Sequence, residues 1–589
     1  SSIRLFFYSF VLLFVCSSVR LFSIRLFFCS FVLYSDKGGS VANTLTTDVL
    51  VIGGGATGAG GLRDLALRGI RAVLVEKGDL THGTTGRYHG LLHSGGRYVT
   101  KDPQSARECA IENEILRRIM PHCIEETGGL FVVTPADDES YAEAFVAGCR
   151  ATGVWVDELP IAEVLHSEPL LNPRISRAFA VRDGAADAFL ATHANADDAR
   201  NHGAQVLTYH YVTALERSGD QIIGAVCENL RTGEQLRIHA TRIINASGAW
   251  AGKIAGLAGL TVTVVPGKGT MIAMNHRIVN TVVNRCKPPA DGDIIVPIQT
   301  VAVLGTTDIA VPDPDVFGIG PDEVALILEE GEQLVPGVSR MRALRAWAGV
   351  RPLYKDIDVA DDRDIPRTYK LLDHRVRDGV GGMISIVGGK WTTYRLMAEE
   401  AVDHIAAELG NRSACRTATE LLPGAEKKPG SATRHYYLGQ RLRQVEEDES
   451  YGELICECEL VTHRQVRAAI SSGAAANIDD LRRDTRLGMG PCQGGFCTYR
   501  AAALWEEVRG AETDESSAAA VLHHFLQERW KGLTAITWGD QLRQQRLDEL
   551  IYLETLGADL LPAVLIHAGH DDARVVTEHP AIATEYHAE

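Results

Sequence analysis

The sequence predicts an α/β protein that carries a small additional domain near its C-terminus. The apolar run at residues 48–52 leads into a glycine-rich turn and then into a helical stretch that ends near Arg68. Residues 384–395 repeat this order of strand, glycines and helix start, and such alternation is typical of α/β folds. Four of the twelve cysteines are confined to residues 456–497, which predicts a separate ligand-binding domain there.

Length and composition exclude several classes of protein. A chain of 589 residues is too long for one hydrophobic core, so several domains are expected. Hydrophobic residues make up 45% and charged residues 23% of the chain, as in soluble globular proteins. The net charge of −17 argues against nucleic acid as a partner, and it requires any anionic ligand to be bound by a local group of arginines and lysines.

Residues 1–42 are interpreted as an anomalous, repetitive apolar leader. The segment SIRLFFYSFVL from Ser2 recurs as SIRLFFCSFVL from Ser23. A signal peptide or a membrane anchor is the alternative, but Arg20 and Arg25 interrupt the apolar run well before the roughly 20 residues that a spanning helix needs. We therefore expect repetitive upstream sequence here and folded structure from about Asn43.

The glycine-rich turn at residues 53–58 predicts a dinucleotide site. Gly53 permits a tight turn, Gly55 lets the backbone approach a pyrophosphate, and Gly58 allows close packing of helix on strand. The start of the following helix supplies free N–H groups and the positive end of the helix dipole. A second strand at residues 71–75 ends at Glu76, whose carboxylate can accept hydrogen bonds from ribose hydroxyls. Both NAD and FAD fit this pattern.

Three further segments favour FAD. Residues 83–86 supply small and hydroxyl side chains after the second strand, residues 242–250 predict a late strand that ends in small residues, and residues 384–395 aim another helix start at the cofactor. The predicted cofactor-binding residues are Gly53, Gly55, Gly58, Glu76, Lys77, Gly83, Thr84, Thr85, Val212, Ala246, Gly248, Gly388, Gly389, Lys390 and Thr392.

Longer motifs give the sequence a specific resemblance. They include VIGGGATGAG, RGIRAVLVEKGDL, HGLLHSGGRY, SARECAIENEIL, ETGGLFVV, NRCKPP, LGTTD, AGVRPL, LLDH, GGKWTTYRLMAE and ERWKG. On these motifs, from about residue 46 to about residue 545, the chain resembles the FAD-dependent glycerol-3-phosphate dehydrogenase family, and most of all the large catalytic subunits of its anaerobic, multisubunit branch. The resemblance implies a Rossmann-like FAD-binding domain, an inserted α+β mixed-sheet substrate domain and a small helical C-terminal iron–sulfur domain.

The predicted domains follow from this resemblance and from composition. The oxidoreductase body spans residues 43–422, with FAD-binding segments at about 46–135, 190–255 and 345–410. Residues 423–450 are rich in proline, glycine and charge, which is typical of a linker. The iron–sulfur domain is expected at residues 451–505. A helical cap on that domain is expected at residues 506–589, with a frayed tail from about residue 570.

The family's substrate is a phosphomonoester, which carries close to two negative charges and calls for several cationic donors. The resemblance places Arg97, Tyr98, Arg367 and Lys390 at the substrate. It places Arg351 in a catalytic role, over the C2 oxygen and the flavin, where a cation stabilises developing negative charge. Taken singly, an arginine is more often a solvated residue or part of a structural ion pair, and the resemblance is what favours a role at the substrate.

The proton acceptor is predicted to be a histidine, because an imidazole titrates in the right range. His93 is the first candidate and His89 the second. The resemblance also leads us to expect a histidine three residues after Lys268, but this chain has Met271. The alternative is that both histidines only hydrogen-bond to the flavin or the backbone.

The four clustered cysteines predict a metal centre. Cys456 and Cys458 form a C-x-C pair, and Cys492 and Cys497 follow as C-x4-C after about thirty residues. Four thiolates suit either zinc or an iron–sulfur cluster, and spacing alone does not decide between them. The tight C-x-C pair and the glycine-rich loop at 488–495 resemble the bacterioferritin-associated-ferredoxin type of [2Fe–2S] domain, with zinc as the alternative.

The resemblance implies oxidation of sn-glycerol 3-phosphate to dihydroxyacetone phosphate, with electrons passing from FAD through the iron–sulfur centre to partner subunits and quinone. It implies two partners, one a second cofactor-bearing subunit, the other a membrane-anchored iron–sulfur subunit, and hence a peripheral position at the cytoplasmic face of the membrane. One alternative is an FAD-dependent amino-acid or 2-hydroxyacid dehydrogenase, because arginines also bind carboxylates. A non-catalytic electron-transfer subunit is the other.

Overall fold

The computed structural model describes residues 43–355, 365, 367–425, 443, 446, 453–510, 517–557 and 560. All of these belong to one compact unit that begins at Asn43. The predicted leader, the predicted linker except residues 423–425, 443 and 446, and the predicted frayed tail lie outside the described residues.

Twenty-two strands are described. They are β1 Asn43–Ile52, β2 Ala72–Val75, β3 Leu91–Leu92, β4 Ile124–Glu125, β5 Gly129–Val133, β6 Val156–Glu158, β7 Arg177–Val181, β8 Gly184–Ala186, β9 Gln205–Leu207, β10 His210–Ser218, β11 Gln221–Asn229, β12 Gln235–Asn245, β13 Val264–Met274, β14 Val282–Arg285, β15 Ile294–Ile298, β16 Val301–Gly305, β17 Ile309–Ala310, β18 Ala343–Tyr354, β19 Tyr369–Asp373, β20 Met383–Gly388, β21 Leu454–Cys456 and β22 Val461–Thr462.

The described α-helices are α1 Ala56–Leu67, α2 Pro103–Ile119, α3 Tyr141–Thr152, α4 Ile161–Ser167, α5 Ala188–Asn201, α6 Ala251–Gly256, α7 Pro321–Leu334, α8 His374–Asp378, α9 Tyr394–Glu408, α10 His463–Ser471, α11 Ile478–Thr485, α12 Cys497–Arg509, α13 Ala518–Leu533 and α14 Gly539–Leu550. Short 3₁₀ turns cover Thr84–Arg87, Gly96–Tyr98, Pro121–Cys123, Gly248–Trp250, Val338–Arg340, Trp391–Thr393 and Thr534–Ile536, and a π-turn covers Ile551–Thr555.

An eight-stranded sheet forms the first half of the body. Strands β10, β11, β12, β1, β2 and β9 lie in that order, and β20 pairs with β12 and carries β19. The pairs of β1 with β12 and with β2 are parallel, as are β2 with β9 and β12 with β20. Helices α1, α5 and α9 pack on one face and α6 on the other. This is the doubly wound α/β arrangement that the sequence predicted.

The turn between β1 and α1 depends on two glycines. Gly53 has φ +116°, a backbone conformation that side chains with a Cβ rarely adopt. A Cβ on Gly58 would lie 1.9 Å from the carbonyl oxygen of Gly53, so only glycine lets the helix start this close to the strand. The next turns of α1 bury Leu62 and Leu65 completely against the sheet. The strand edge and the helix N-terminus are thereby held together at one end of the sheet.

A nine-stranded mixed sheet forms the second half of the body. Its order is β17, β13, β16, β15, β14, β5, β7 and β6, with β18 paired to β13. Strands β13 and β18 form a long antiparallel pair in which Gly267 lies opposite Arg351. Because β18 also contacts the turn Gly248–Trp250, it brings the second sheet against the carboxyl edge of the first. The predicted fold class, with an inserted mixed-sheet domain, is confirmed.

The C-terminal cysteine region is a small helical domain that packs on the body. Arg483 of α11 is buried and lies 2.9 Å from Asp79 of the body, and it also contacts Asp479 at 2.5 Å and Asp480. The hydroxyl of Tyr209 donates to Asp480 at 2.6 Å. Buried, fully paired charges of this kind fix the geometry of an interface.

Helix α13 joins two hydrophobic cores. Its residues Val521, Leu522 and Phe525 belong to the core of the cysteine domain. Leu533 at its end, with Ile536 just beyond, belongs to the core of the mixed-sheet half. The sequence predicted a cap on the cysteine domain alone, because helical periodicity does not reveal which partner each end of a helix meets.

In the part of the chain that the structure describes, no helix combines the length and the apolar character needed to cross a bilayer.

Candidate active site

A cavity of about 1290 Å³ lies between the two sheets of the body. The carboxyl ends of β1, β2 and β20 meet the middle of β13 and β18 there, which is where ligands bind in doubly wound folds. Of the predicted residues, those that line it are Gly53, Gly55, Glu76, Lys77, Gly83, Thr84, Thr85, His89, His93, Arg97, Tyr98, Val212, Ala246, Gly248, Arg351, Arg367, Gly388, Gly389 and Lys390. Segments far apart in sequence thus converge on one space.

Two predicted cofactor contacts do not line the cavity. Gly58 lies behind the turn, where it allows the close approach to Gly53. Thr392 is fully buried, and its hydroxyl accepts a hydrogen bond from the backbone N–H of His93 at 3.0 Å. Both residues therefore shape the wall from behind.

The glycine turn and its neighbours form a cradle suited to a dinucleotide. The backbone N–H of Ala56, at the start of α1, donates to the Thr85 hydroxyl at 3.1 Å. A Cβ on Gly55 would lie 3.0 Å from that same hydroxyl oxygen, so glycine leaves room for a ligand to approach the helix N-terminus. Open backbone N–H groups at a helix start are the usual contacts for a pyrophosphate, and the cradle fits one.

Glu76 is held by the backbone at the end of β2. Its carboxylate accepts hydrogen bonds from the N–H groups of Gly54, at 2.7 Å, and Gly78, at 3.0 Å. Burial raises the pKa of Glu76, while these hydrogen bonds oppose that effect. Lys77 pairs with Asp315 at 3.1 Å and lies 4.5 Å from the ring of Trp250. The backbone thus fixes the Glu76 carboxylate at the edge of the cavity.

Arg351 and Arg367 enter the cavity beside one carboxylate. Arg351 donates to Asp308 at 3.1 Å, to the Thr307 carbonyl at 3.1 Å and to the Thr306 hydroxyl. Arg367 donates to Asp308 at 2.5 Å, but its Nη1 is buried without a hydrogen-bond partner in the described part of the chain. Buried donors are rarely left without acceptors, so Arg367 Nη1 marks a place for an anionic or polar ligand atom.

Lys390 and Arg97 complete the cationic set. Among the described residues, the Lys390 ammonium donates only to uncharged groups, the Ser105 hydroxyl at 2.8 Å and the Arg367 carbonyl at 2.7 Å, and it lies 4.4 Å from the ring of Tyr98. Burial lowers the pKa of Lys390. Arg97 pairs with buried Asp293 at 2.9 Å.

Among the described residues, Asp308 and Asp293 are the carboxylates that form ion pairs with these cations, and Asp102 and Asp291 also line the cavity. Sequence reasoning did not identify any of these aspartates as part of the site. The only signal for Asp308 was its place at the end of the LGTTD motif.

The two histidines differ in how their rings are engaged. Nδ1 of His89 accepts the backbone N–H of Leu91 at 3.1 Å, which leaves the proton of the neutral ring on Nε2. No hydrogen bond engages the ring nitrogens of His93 among the described residues, and its ring lies 5.3 Å from that of Tyr98. Burial lowers the pKa of both, with help from Arg351 and Arg97 for His89 and from His89, Arg97 and Lys390 for His93. Both rings are neutral near pH 7, and His93 is the one free to accept a proton.

Met271, where a histidine was expected, lines the cavity from β13 and is buried, with 2% relative exposure. Lys268, three residues earlier, points away from the cavity into an ion pair with Glu323 at 2.7 Å. A thioether accepts no proton at physiological pH, so Met271 supplies only apolar wall.

The four cysteines come together at one end of the C-terminal domain. The thiols of Cys458 and Cys497 donate hydrogen bonds to Cys492 and lower its pKa to about 2, and the backbone N–H groups of Gly494 and Gly495 act in the same direction. Cys497 also lies within hydrogen-bonding reach of Cys456. A Cβ on Gly490 would lie 2.4 Å from Cβ of Cys458, so the loop before Cys492 needs a glycine to close over the site.

The four sulfur atoms are not gathered around one point. Among the described residues, no three of these Sγ atoms lie within 4.8 Å of one another. Four thiolates are ligands for zinc and for an iron–sulfur cluster alike, so the ligand set alone leaves both interpretations open.

Known family models match both the oxidoreductase body and the cysteine domain. A family model described as FAD dependent oxidoreductase matches residues 48–395, and one described as BFD-like [2Fe-2S] binding domain matches residues 454–507. The chain is therefore a member of the FAD dependent oxidoreductases and carries a [2Fe–2S]-binding domain. The predicted cofactors, FAD and a [2Fe–2S] cluster, are confirmed, and zinc is not supported.

Full-length relatives narrow the family. The chain is 42% identical to the A subunit of the anaerobic glycerol-3-phosphate dehydrogenase of Escherichia coli strain K12, over 87% of this chain and 97% of the relative. It is 44% identical to the A1 subunit of the Haloferax volcanii enzyme of the same name, over 87% and 91%. Within the FAD dependent oxidoreductases, the chain belongs to the family of anaerobic glycerol-3-phosphate dehydrogenase A subunits, as the motifs predicted.

A solved structure supports the fold. The glycerol-3-phosphate dehydrogenase of Bacillus halodurans, complexed with FAD, aligns with a TM-score of 0.52 and 21% identity, over 87% of this chain and 91% of that one.

Proposed function

We propose that the chain oxidises sn-glycerol 3-phosphate to dihydroxyacetone phosphate and passes the electrons to its [2Fe–2S] centre. This proposal rests on two cationic side chains in the cavity, Arg367 and Lys390, that have room for an anionic partner. Arg367 Nη1 is buried without an acceptor, and Lys390 has no carboxylate partner among the described residues. An anion must enter to complete both, and the relatives named above are dehydrogenases of a phosphate ester.

The proposed phosphate site is formed by Arg367, Lys390 and Arg97. A phosphate that bridges Arg367 Nη1 and the Lys390 ammonium would gain two charge-assisted hydrogen bonds without breaking an existing ion pair. Arg97 is already paired with Asp293, so it would contribute mainly long-range electrostatic attraction for the phosphate. Tyr98, whose ring lies against Lys390, would close the side of this site.

The chemistry at C2 requires loss of a hydride and of a proton. FAD supplies the hydride acceptor when it is bound. The C2 hydroxyl proton goes to a ring nitrogen of His93, whose ring is neutral and makes no hydrogen bond to any described residue. Arg351 stabilises negative charge as it develops on the C2 oxygen, because its guanidinium is fixed by Asp308 and Thr307 before the substrate arrives.

The proposed partners follow from the names of the relatives, which are subunits of larger enzymes. We propose two partners, one a second cofactor-bearing subunit and the other a membrane-anchored iron–sulfur subunit, with quinone as the final acceptor. The chain would then lie at the cytoplasmic face of the membrane through those partners.

The test is anaerobic reduction of the FAD-loaded chain, followed at the flavin absorbance band. We expect glycerol 3-phosphate alone to bleach the flavin, and glycerol, amino acids and 2-hydroxy acids not to do so. Arg367→Gln and Lys390→Met should each raise the glycerol 3-phosphate concentration needed by roughly a hundredfold, because each removes a charged hydrogen bond. Arg375→Gln, at an exposed position, is the matched control. Bleaching by an amino acid or a 2-hydroxy acid, and not by glycerol 3-phosphate, would overturn the proposal.

A further inference from the structure

A second cavity, of about 2000 Å³, lies between the oxidoreductase body and the cysteine domain. Arg87 and Tyr88 line both this cavity and the first one. At its far side the wall includes Gln493, the residue after Cys492. The second cavity therefore occupies the space between the dinucleotide cradle and the cysteine centre.

Two arginines in its wall lack an anionic partner. Arg87 lies at the end of the turn Thr84–Arg87, and Arg345 lies on β18. Neither side chain forms an ion pair with any described residue, and Nε of Arg345 is buried without a hydrogen-bond partner. By contrast, Arg482 in the same wall lies 2.8 Å from Asp479. The first two guanidinium groups are therefore available to a ligand.

The nearby carboxylates are already engaged by other cations. Asp479 accepts from Arg482 and Arg483, and Glu528 lies 2.5 Å from Lys531. Burial lowers the pKa of Arg345 to about 9, and the positive charge of Arg482 adds to this effect. Burial also lowers the pKa of Arg87. Because Asp479 and Glu528 are shared with other cations, they only partly offset the charges of Arg87 and Arg345, and a bound anion would stabilise this region further.

A histidine nitrogen in the same wall also lacks a partner. Nδ1 of His524 is buried without a hydrogen bond among the described residues, as is Nε of Arg345, and native structures rarely leave such polar atoms unsatisfied. Arg87, Arg345 and His524 all lie near enough to Asp479 to interact with its charge.

We infer that the second cavity binds a phosphate dianion, free or as a monoester, through Arg87 and Arg345. Two guanidinium groups match its charge of about −2, and their planar donors suit phosphate oxygens. A carboxylate, with one charge, would leave one of the two cations without a counter-ion. Free phosphate and the phosphate of a nucleotide share this chemistry, and the aromatic side chains of Trp347 and Tyr211 in the wall offer a surface for a nucleotide base. This site does not depend on the substrate proposed for the first cavity.

Equilibrium dialysis of the full chain, loaded with FAD and iron, against labelled inorganic phosphate in chloride-free buffer tests this site. We expect the wild type to bind two phosphates, one in each cavity. Arg345→Gln and Arg87→Gln should each weaken one of the two sites by between about tenfold and a hundredfold, because each removes a charged hydrogen bond. Lys390→Met should abolish the other site only.

Each outcome bears on the second cavity separately from the first. A single wild-type phosphate that Arg345→Gln abolishes supports the site and contradicts the proposed substrate cavity. A single phosphate that Lys390→Met abolishes, or two phosphates that survive the combined Arg87→Gln and Arg345→Gln changes, overturns the site.

Controls separate folding from binding and identify the source of the phosphate. Arg200→Gln, at an arginine of the same wall that pairs with Asp197 at 2.7 Å, should bind as the wild type does. If Arg345→Gln fails to retain FAD, Arg345→Lys keeps the charge and should still weaken the site, because it loses the planar donors. Displacement of the label by AMP at concentrations at least tenfold below those of unlabelled phosphate indicates a nucleotide, and displacement at equal concentrations indicates free phosphate.

Discussion

Arg351 and Arg367 donate to opposite oxygens of one carboxylate. Nη1 of Arg351 lies 3.1 Å from Oδ1 of Asp308, and Nη2 of Arg367 lies 2.5 Å from Oδ2. Two like charges in one cavity repel each other, and the shared carboxylate offsets this repulsion while it fixes both guanidinium planes. The proposed reaction depends on this arrangement, because one arginine is assigned to the phosphate and the other to the C2 oxygen.

Replacing Asp308 tests this coupling. We expect Asp308→Asn to lower kcat for glycerol 3-phosphate oxidation by about a hundredfold, because both arginines lose their alignment. The KM should stay within about threefold, since loss of a negative charge strengthens the attraction for phosphate. Steady-state kinetics with an artificial electron acceptor measures both. Asp313→Asn, which breaks only the surface pair with Lys253, should leave both values unchanged.

The proton acceptor can be identified by comparing two matched substitutions. His93→Asn should lower kcat by between about a hundredfold and ten-thousandfold, as for loss of a general base, while substrate still perturbs the flavin spectrum on binding. His89→Asn should cost less than about tenfold, because Nδ1 of His89 is occupied by the Leu91 N–H. Rapid-mixing measurement of flavin reduction gives both rates. A larger loss in the His89 variant would assign the base to His89.

The free energy of unfolding should decrease as the pH falls, because of His89. Its pKa is lowered to about 3 by burial and by Arg351 and Arg97. Between about pH 6.5 and pH 3 the unfolded chain binds a proton that the folded chain does not, so the free energy of unfolding decreases as pH falls. At pH 5 this loss is roughly 2 kcal/mol.

Urea unfolding at pH 7.5 and pH 5 checks this prediction. His89→Asn should remove about 2 kcal/mol of the acid-induced loss, whereas His166→Asn, at an exposed position outside the cavity, should not change the loss. Equal acid sensitivity of the wild type and the His89 variant would contradict the assignment.

Removal of one cluster ligand should separate reduction of the flavin from electron transfer through the cluster. Cys492→Ser should reduce iron from about two atoms per chain to a small fraction, measured by metal analysis and by electron paramagnetic resonance after reduction. Bleaching of the flavin by glycerol 3-phosphate should continue, but transfer to an acceptor that accepts electrons only from the cluster should stop. Cys415→Ser is the control, because Cys415 lies outside the cysteine centre. Two iron atoms retained in the Cys492 variant would contradict the ligand set.

The buried charge network at Arg483 should dominate the interface between body and cysteine domain. Arg483→Met leaves Asp79, Asp479 and Asp480 without their common cation, and we expect a loss of about 3–5 kcal/mol in the free energy of unfolding. Arg467→Met, which breaks an exposed pair with Glu507, should cost less than about 1 kcal/mol. Urea unfolding followed by tryptophan fluorescence compares the two variants.

Local patterns predicted the parts of the fold that depend on neighbouring residues. The β1 strand, its glycine turn and the start of α1 follow from spacing, since Gly53 and Gly58 act on each other directly. Glu76 was predicted because it directly follows an apolar strand. The grouping of the four cysteines was also visible as a local cluster, although the metal type required the family comparison.

Contacts between distant residues could not be predicted in this way. Arg483 and Asp79 are 404 positions apart, and nothing near either residue indicates the other. Asp308 and Asp293 resemble ordinary solvated acids in the sequence. Asp308 follows β16 and Asp293 precedes β15, and only tertiary contacts bring them to Arg351 of β18 and to Arg97 of the turn Gly96–Tyr98. The sequence likewise could not predict that Arg345 has no ion-pair partner among the described residues, because the absence of a partner leaves no sequence pattern.

Helix α13 restricts how this protein can be divided. Its first half completes one core, and Leu533, with Ile536 beyond it, completes another. A chain cut after residue 510 would lose both contributions and would uncover apolar surface on the mixed sheet, so we expect it to aggregate when expressed. A cysteine domain transferred to another flavoprotein would therefore fold properly only if that protein offered an apolar surface for the C-terminal end of α13.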